Sequence, residues 1–378
     1  RKARKMKYDV AAYIWPSYTG DEPRTRMFWP DGIGEWQTVK LATAKFEGHT
    51  WPRKPLWGYV NEADPGVMEM QIEEAVKHGV NVFIYDWYWY DGRPFLENCL
   101  NDGFLGAKNR NKMKFFLMWA QHDVTHLWDR RISNYQDNII WQGRVPLEEY
   151  QILARRMIEK YFSLPEYYQI DGKPVLMIYD LGIFLEGFKT LEEAIEGVKW
   201  FDNEAKKNGL SGVHFQMCRW DSRSFKVNFE GKNIEMPFGE ILEKLGFESY
   251  THYQFVHFQD MNREYSTIFK DVEKEWEKLP QESSLPYFPH VSMGWDNTPR
   301  YIKYSPEDPV RGAVVKNATP ENIEIALRAA KDYVDKHPNQ PPLITLNSWN
   351  EWTETSYLQP DDLYGYGYLK AVKKVFLD

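Results

Sequence analysis

The chain has 378 residues, of which 43% are hydrophobic, and no stretch of it approaches the roughly 20 consecutive apolar residues of a membrane-spanning helix. Its 47 basic and 55 acidic side chains give a net charge of −8, and basic residues cluster only at positions 1–5, so nucleic-acid binding is not expected. The length suits either one large barrel with extended loops or two ordinary domains.

Short apolar runs alternate with amphipathic segments along the whole chain. The apolar runs predict eight strands, at residues 10–15, 80–86, 114–119, 175–180, 212–218, 249–254, 287–293 and 343–346. The amphipathic segments predict helices at residues 64–79, 147–162, 190–209, 239–245, 266–279, 319–334 and 364–377. This order, without a linker or an internal repeat, predicts an α/β fold with a single (β/α)8 (TIM) barrel over residues 1–378.

A long connection separates the first predicted strand from the first predicted helix. Residues 16–63 have no helical periodicity and are rich in Trp, Pro and Gly. Connections of this length in compact domains are usually functional, so we predict a βα loop on the substrate side of the barrel. Asp64 and Pro65 then predict the start of a helix, with an N-cap followed by a first-turn proline.

Aromatic residues make up 16% of the chain and cluster where predicted strands end, as in residues 85–90. Rings beside carboxylates and amides form surfaces on which sugars stack. The carboxyl ends of barrel strands converge on one mouth. We therefore predict that these strand-end residues contact a substrate: Trp15, Asp86, Trp87, Trp119, His122, Tyr179, Arg219, His252, Trp295, Asp296, Trp349 and Asn350. An isolated strand-end acid is more often the N-cap of the next helix, which is the alternative for Asp180 and Asp221.

The eighth predicted strand ends in an acidic segment rich in tryptophan. Glu351 and Glu354 are three residues apart and are flanked by Trp349 and Trp352. Two surface glutamates in the first turn of a helix would give the same pattern. The tryptophans and the buried strand favour an enclosed site instead, where one carboxyl can act as a general acid while its neighbour stays ionised. We predict that this pair performs acid/base catalysis on a sugar.

The sequence contains no motif for a cofactor: it has no Gly-rich phosphate loop, nucleophile elbow or paired-cysteine motif. Cys99 and Cys218 are interpreted as core thiols. His122 and His126 have the spacing of metal ligands on a helix, but no third ligand follows, so we predict no metal site. The chain begins at Arg1 without a leader, so we expect a removed signal peptide and a periplasmic, cell-surface or secreted location, with the cytoplasm left as the alternative.

Several segments resemble the WbsX-like proteins, which are glycoside hydrolase family 99-like domains of bacterial polysaccharide loci. The resemblance is carried by residues 347–366, with Asn-Glu-Trp-Thr-Glu at 350–354, and by residues 88–92, 118–120, 172–174 and 294–300, in the same order. It covers nearly the whole chain. It implies a (β/α)8 barrel that acts on glycans.

Residues 350–354 are also similar to the family 99 endo-α-mannosidases, which retain configuration without an enzyme nucleophile. In that family one Glu activates the 2-OH of the sugar to form an anhydro-sugar, and a second Glu is the general acid and then the base. The resemblance implies the first role for Glu351 and the second for Glu354. Residues 353–355 and 121–124 depart from the family patterns, so mannose specificity and an endo mode are not carried over.

We therefore expect a retaining glycoside hydrolase that acts on an α-linked oligo- or polysaccharide. One alternative is a glycosyltransferase of surface-polysaccharide synthesis, although the sequence has neither a diphosphate cradle nor an Asp-x-Asp pair. Another is a glycan-binding barrel without catalysis. The sequence does not set the oligomeric state.

Overall fold

The computed structural model describes residues 6–20, 22–135 and 138–378, so the basic segment at 1–5 lies outside the described residues. Eight parallel strands form the wall of a barrel, which confirms the predicted α/β class and (β/α)8 architecture. We call them barrel strands one to eight in chain order: Asp9–Ile14, Val82–Tyr90, Lys114–Trp119, Lys173–Ile178, His214–Cys218, Ser249–Thr251, His290–Ser292 and Leu343–Asn347.

The barrel closes between barrel strands six and seven as well as between one and eight. Barrel strand one pairs in parallel with barrel strand eight, with Asp9 opposite Leu343. Between six and seven the contact is a single bridge, in which Tyr250 N–H donates to Pro286 O at 3.1 Å and Phe288 N–H donates to Tyr250 O at 3.0 Å. All eight strands therefore deliver their carboxyl ends to the same face of the barrel.

Nine α-helices pack around the barrel in the described part of the chain: α1 Trp36–Leu41, α2 Pro65–Lys77, α3 Leu147–Met157, α4 Leu181–Glu186, α5 Leu191–Lys207, α6 Phe238–Leu245, α7 Tyr265–Glu282, α8 Pro320–Asp335 and α9 Gly367–Phe376. The predicted N-cap of α2 is confirmed, since Asp64 accepts from Gly66 N–H at 2.7 Å. Asp180 also has its alternative role, because it caps α4 by accepting from Ile183 N–H at 3.0 Å. None of the helices in this part of the chain has the length and apolar character needed to cross a membrane.

Some strand boundaries differ from the prediction. Barrel strand two continues to Tyr90 because it pairs with the short strand Arg93–Phe95 in a hairpin. Barrel strand six ends at Thr251, so residues 252–254 already belong to the loop that follows it. A second hairpin, Ser224–Phe229 with Lys232–Pro237, projects after barrel strand five.

The connection before α2 is held against the loop that follows barrel strand eight. The indole N–H of Trp51 donates to Thr355 Oγ1 at 2.9 Å, and Lys54 N–H donates to Asp362 Oδ1 at 2.8 Å. The connection also contains α1, which its irregular sequence did not predict. These contacts place the connection over the carboxyl face of the barrel, where it helps to enclose the site.

Candidate active site

A cavity of about 540 Å³ lies at the carboxyl ends of the barrel strands. This volume is within the roughly 300–1,000 Å³ that is typical of small-molecule sites. Each barrel strand, or the loop that follows it, supplies at least one wall residue, and one from each in chain order is Trp15, Asp86, His122, Tyr179, Trp220, Tyr253, Trp295 and Glu351. We call this cavity the pocket.

Seven of the residues that the sequence singled out line the pocket together: Trp15, Asp86, His122, Tyr179, Trp295, Glu351 and Glu354. They come from six strand ends, since Glu351 and Glu354 both follow barrel strand eight, and they meet only because the strand ends converge. Of the two acids offered as helix caps, Asp221 also lines the pocket.

Trp87 and Trp119 lie on the other side of the barrel wall. Successive side chains of a strand point to opposite faces, so Asp86 faces the pocket while Trp87 faces the helices and donates to Glu97 Oε2 at 2.8 Å. Trp119 packs among the rings of Tyr150 and Phe184 on α3 and α4. Neither indole is kept as a substrate contact.

Arg219 and His252 also point away from the pocket. Arg219 pairs with Glu282 at the end of α7, 2.7 Å away, and its guanidinium lies over the ring of Phe238. His252 is fully buried and shares a hydrogen bond of 2.5 Å with the Tyr287 hydroxyl. These partners stabilise the packing between barrel and helices, so we assign both residues a structural role.

Asp296, Trp349 and Asn350 hold the surrounding loops in place. Asp296 binds His49 Nε2 at 2.7 Å and thereby fastens the first loop to the loop after barrel strand seven. The indole of Trp349 donates to Gln71 of α2 at 2.9 Å. The amide of Asn350 accepts from Trp15 N–H at 2.7 Å and donates to Trp15 O at 2.8 Å. All three are buried behind the wall of the pocket.

Glu351 and Glu354 are enclosed rather than displayed on a helix. Barrel strand eight is followed by a small hairpin, Asn350–Glu351 with Ser356–Tyr357, and the turn between its arms contains Glu354. The Glu351 side chain is 7% exposed and that of Glu354 is 12% exposed. Both carboxyls therefore meet the contents of the pocket in a largely dry environment.

Arg300 and Glu35 complete the surroundings of the pair, and the sequence assigned a role to neither. The Arg300 guanidinium lies 2.8 Å from Glu354 and 3.9 Å from Glu351. Its Nε also lies 3.6 Å from Glu35, which is fully buried and accepts from Trp15 Nε1 at 3.0 Å. The buried Arg300 guanidinium thus faces two buried carboxyls, those of Glu35 and Glu351, and the partly buried carboxyl of Glu354.

Tyr253 connects the pair to a fourth carboxyl. Its hydroxyl lies 3.1 Å from Glu351 Oε2 and 3.2 Å from Asp86 Oδ2. Since a hydroxyl carries one proton, it donates to one of these oxygens at a time. Asp86 is 4% exposed, and its Oδ1 has no hydrogen-bond partner among the described residues.

Burial dominates the electrostatics of the pocket. It raises the pKa of Glu351 well above its usual range, the charge of Glu354 raises this pKa further, and Arg300 opposes both effects. Burial likewise raises the pKa of Asp86 and, against the influence of Arg300, that of Glu35. We conclude that Glu351, Asp86 and Glu35 bind protons at a pH where exposed carboxyls are ionised.

His122 presents a neutral imidazole to the pocket. Burial lowers its pKa, and its Nδ1 lies 2.9 Å from the carbonyl oxygen of Asp123. A carbonyl oxygen only accepts, so Nδ1 carries the proton and Nε2 is left as an acceptor. Within the described residues, no group of three or more His, Cys, Asp or Glu side chains could hold a metal ion.

The sequence of residues 10–372 matches the model of the family described as "Glycosyltransferase WbsX". The chain belongs to the WbsX family. It is 26% identical over 361 residues to the "Uncharacterized protein WxcX" of Xanthomonas campestris pv. campestris, strain B100. This alignment covers 93% of the chain but 47% of that relative, so the chain spans about half the length of the curated relative it matches.

The barrel is similar to solved structures over almost its whole length. A GH99 endo-alpha-mannosidase from Bacteroides thetaiotaomicron aligns with a TM-score of 0.57 and 15% identity, covering 98% of this chain and 97% of that one. A "glycoside hydrolase-like protein" aligns with a TM-score of 0.60 and 12% identity, covering 98% and 94%. At these identities the similarity establishes the shared barrel fold.

Proposed function

We propose that this protein is a retaining glycoside hydrolase that cleaves an α-linked glycan with Glu351 and Glu354. The observation that carries the proposal is the enclosure of these two carboxyls, with Arg300 2.8 Å from Glu354, in a pocket walled by aromatic side chains. Glycosidic cleavage by this route requires one carboxyl that donates a proton and one that accepts it. The pair has the burial and the mutual influence that can separate two such roles.

In the proposed reaction, Glu351 removes the proton of the sugar 2-OH, and the 2-oxygen of the sugar attacks the anomeric carbon. The bond to the leaving oxygen breaks, and Glu354 donates its proton to that oxygen. Water then opens the anhydro-sugar: Glu354 takes a proton from the water and Glu351 returns one to the 2-oxygen. Two inversions at the anomeric carbon retain its configuration. Each acid/base step of this kind contributes typically about 10²–10⁴-fold to the rate.

This assignment requires a proton to change place when the substrate binds. In the unliganded pocket burial raises the pKa of Glu351, and Arg300 lies closer to Glu354. An incoming 2-OH that donates to Glu351 stabilises its charged form. The proposed step then requires the proton on Glu354, beside the glycosidic oxygen.

The walls favour a sugar without a negative charge. Asp86, Asp221 and the two glutamates line the pocket, whereas the Arg300 guanidinium is already engaged with carboxylates. The rings of Trp15, Tyr88, Trp128, Tyr179 and Trp295 offer stacking surfaces. We propose that Trp15, Asp86, His122, Tyr179 and Trp295 contact the sugar, together with Tyr253.

A glycosyltransferase is the second candidate, because the description of the family names that activity. A nucleotide-sugar donor would bring a diphosphate, which is bound by cations or by the backbone of Gly-rich loops. Among the described wall residues, Arg300 is the guanidinium available for this, and it faces three carboxyls. Hydrolysis therefore fits the charges of the pocket better than transfer from a nucleotide.

The test compares Glu351→Gln, Glu354→Gln and the control Glu321→Gln on aryl α-glycosides and on bacterial and plant glycans. Glu321 is exposed in the first turn of α8. We expect each pocket variant to lose at least about 100-fold in kcat/KM and the control to keep its activity. NMR of the first product should show the α-anomer.

Full activity in both pocket variants would contradict the proposal. Saturable glycan binding without turnover at any pH would instead indicate a glycan-binding barrel. Measurable binding of a nucleotide sugar would favour the transferase.

A further inference from the structure

We propose that a groove outside the pocket binds further sugar units of the same glycan chain. The groove lies between α4, the segment at 186–191 and the hairpin formed by Ser224–Phe229 and Lys232–Pro237, and we call it the hairpin groove. This inference rests on the proposed function, and it specifies a substrate that is longer than the unit held in the pocket.

The hairpin groove is joined to the pocket by a chain of shared walls. A middle cavity of about 100 Å³ shares Trp220 and Asp221 with the pocket. The hairpin groove, of about 300 Å³, shares Phe225 with the middle cavity. Asp180 and Leu181 line the middle cavity and Gly182 lines the groove, so the contact continues along the start of α4. The shared residues therefore place the middle cavity and then the hairpin groove beside the pocket, on the side of Trp220.

The wall between the pocket and the middle cavity is rigid. The ring of Trp220 stacks on His257 with centroids 3.5 Å apart and an angle of 8° between the planes. Its indole N–H donates to Tyr179 O at 2.8 Å. Contacts on a side chain that is already ordered require little further loss of conformational entropy.

The hairpin groove combines a ring with polar side chains. Phe225 is half-buried, and Glu186, Lys189, Lys226 and Asn228 surround it with hydrogen-bonding groups of both charge signs. A ring that covers the CH face of a sugar, with polar groups around it for the hydroxyls, suits a carbohydrate. Because shared wall residues place the hairpin groove near the pocket, we infer that this carbohydrate is the remainder of the substrate chain.

The experiment measures binding by calorimetry in the Glu354→Gln background, which prevents cleavage. The probes are α-linked manno- and gluco-oligosaccharides from the disaccharide to the hexasaccharide. Affinity should rise with chain length. Phe225→Ala should weaken the longest bound probe by about tenfold, which corresponds to about 1.4 kcal/mol, because the distal sugar loses its stacking ring. The affinity of the disaccharide should not change, because the pocket is left intact. Phe225→Trp should restore the affinity.

Phe229→Ala is the matched control. Phe229 lies on the same hairpin strand and is also half-buried, but Lys244 Nζ covers its ring at 4.8 Å, and it lines neither cavity. This variant should bind all lengths as the parent does. The proposal that the hairpin groove binds sugar would be refuted if the affinity of the parent did not rise with chain length. An equal loss of affinity from Phe225→Ala at every length would also refute it. Neither result would contradict the glycosidase proposal. Failure of the parent to bind any probe would count against both the glycosidase proposal and the groove.

Discussion

Replacement of Arg300 by methionine tests whether the acid cluster depends on one buried charge. Methionine keeps much of the side-chain volume but removes the positive charge that lies 2.8 Å from Glu354, 3.6 Å from Glu35 and 3.9 Å from Glu351. Removing one partner of a buried ion pair typically destabilises a protein by about 3–5 kcal/mol, because the other charge is left unpaired. We expect a loss of this size in the free energy of unfolding near neutral pH.

The loss should depend on pH in a defined direction. Burial already raises the pKa of Glu35 and of Glu351, and Arg300 opposes this rise in both. Without Arg300 both pKa values rise further above those of the unfolded chain, so the folded variant binds more protons near neutrality. Protonation of these carboxyls therefore contributes to the free energy of unfolding. This contribution is fully present below the unfolded pKa of about 4.3 and is lost as the pH rises through the folded pKa. The difference in the free energy of unfolding between Arg300→Met and the wild type should therefore become smaller as the pH is lowered.

Urea unfolding followed by tryptophan fluorescence at several pH values measures this difference. The control is Arg328→Met, since Arg328 pairs with Glu324 at 3.3 Å on the exposed face of α8 and should contribute less than about 0.5 kcal/mol. Glu35→Gln added to Arg300→Met should restore part of the stability by removing one unpaired carboxylate. A loss below about 1 kcal/mol, or a loss that is the same at every pH, would refute this account of the cluster.

Two further predictions concern residues that contact Glu351, which we propose to be catalytic, or that support the loop carrying it. Tyr253→Phe removes the hydroxyl that lies 3.1 Å from Glu351, so the pKa of Glu351 should rise. The acidic limb of the kcat/KM profile should then move to higher pH, and activity near neutrality should fall about tenfold. An unchanged pH profile would contradict a hydrogen bond from Tyr253 to Glu351. Asn350→Ala leaves Trp15 N–H and Glu62 without their buried partner and should lower the free energy of unfolding by about 3 kcal/mol, whereas Asn208→Ala, at an exposed helix end, should change it little.

Local periodicity predicted most of the fold. Strand-like runs and capped amphipathic segments depend on neighbouring residues, and barrel strand three runs over Lys114–Trp119, as predicted. The ends of strands were harder to predict, because the pairing partner determines where a strand stops. Barrel strand two continues to Tyr90 through its contact with Arg93–Phe95, which the run at 80–86 does not contain.

The face of a strand residue was decided by register. A shift of one residue moves a side chain from the pocket to the helix layer, and this separates Asp86 from Trp87 on barrel strand two. Tyr88 also lines the pocket, because it lies two residues after Asp86 and therefore on the same face of barrel strand two. A strict alternation of polar and apolar residues along 82–90 would have indicated this face. The run of aromatic residues on both faces concealed that signal.

The sequence by itself predicted the barrel class, capped helix starts such as that of α2, and the pair Glu351 and Glu354, because each of these is encoded by residues close together in the chain. Only the tertiary structure brought Glu35 and Arg300 to that pair, across loops that have no regular pattern. Burial and charge at a site are sums over residues that are distant in sequence, and a linear pattern does not contain those distances. The raised pKa of Glu351 is therefore a property of the folded barrel.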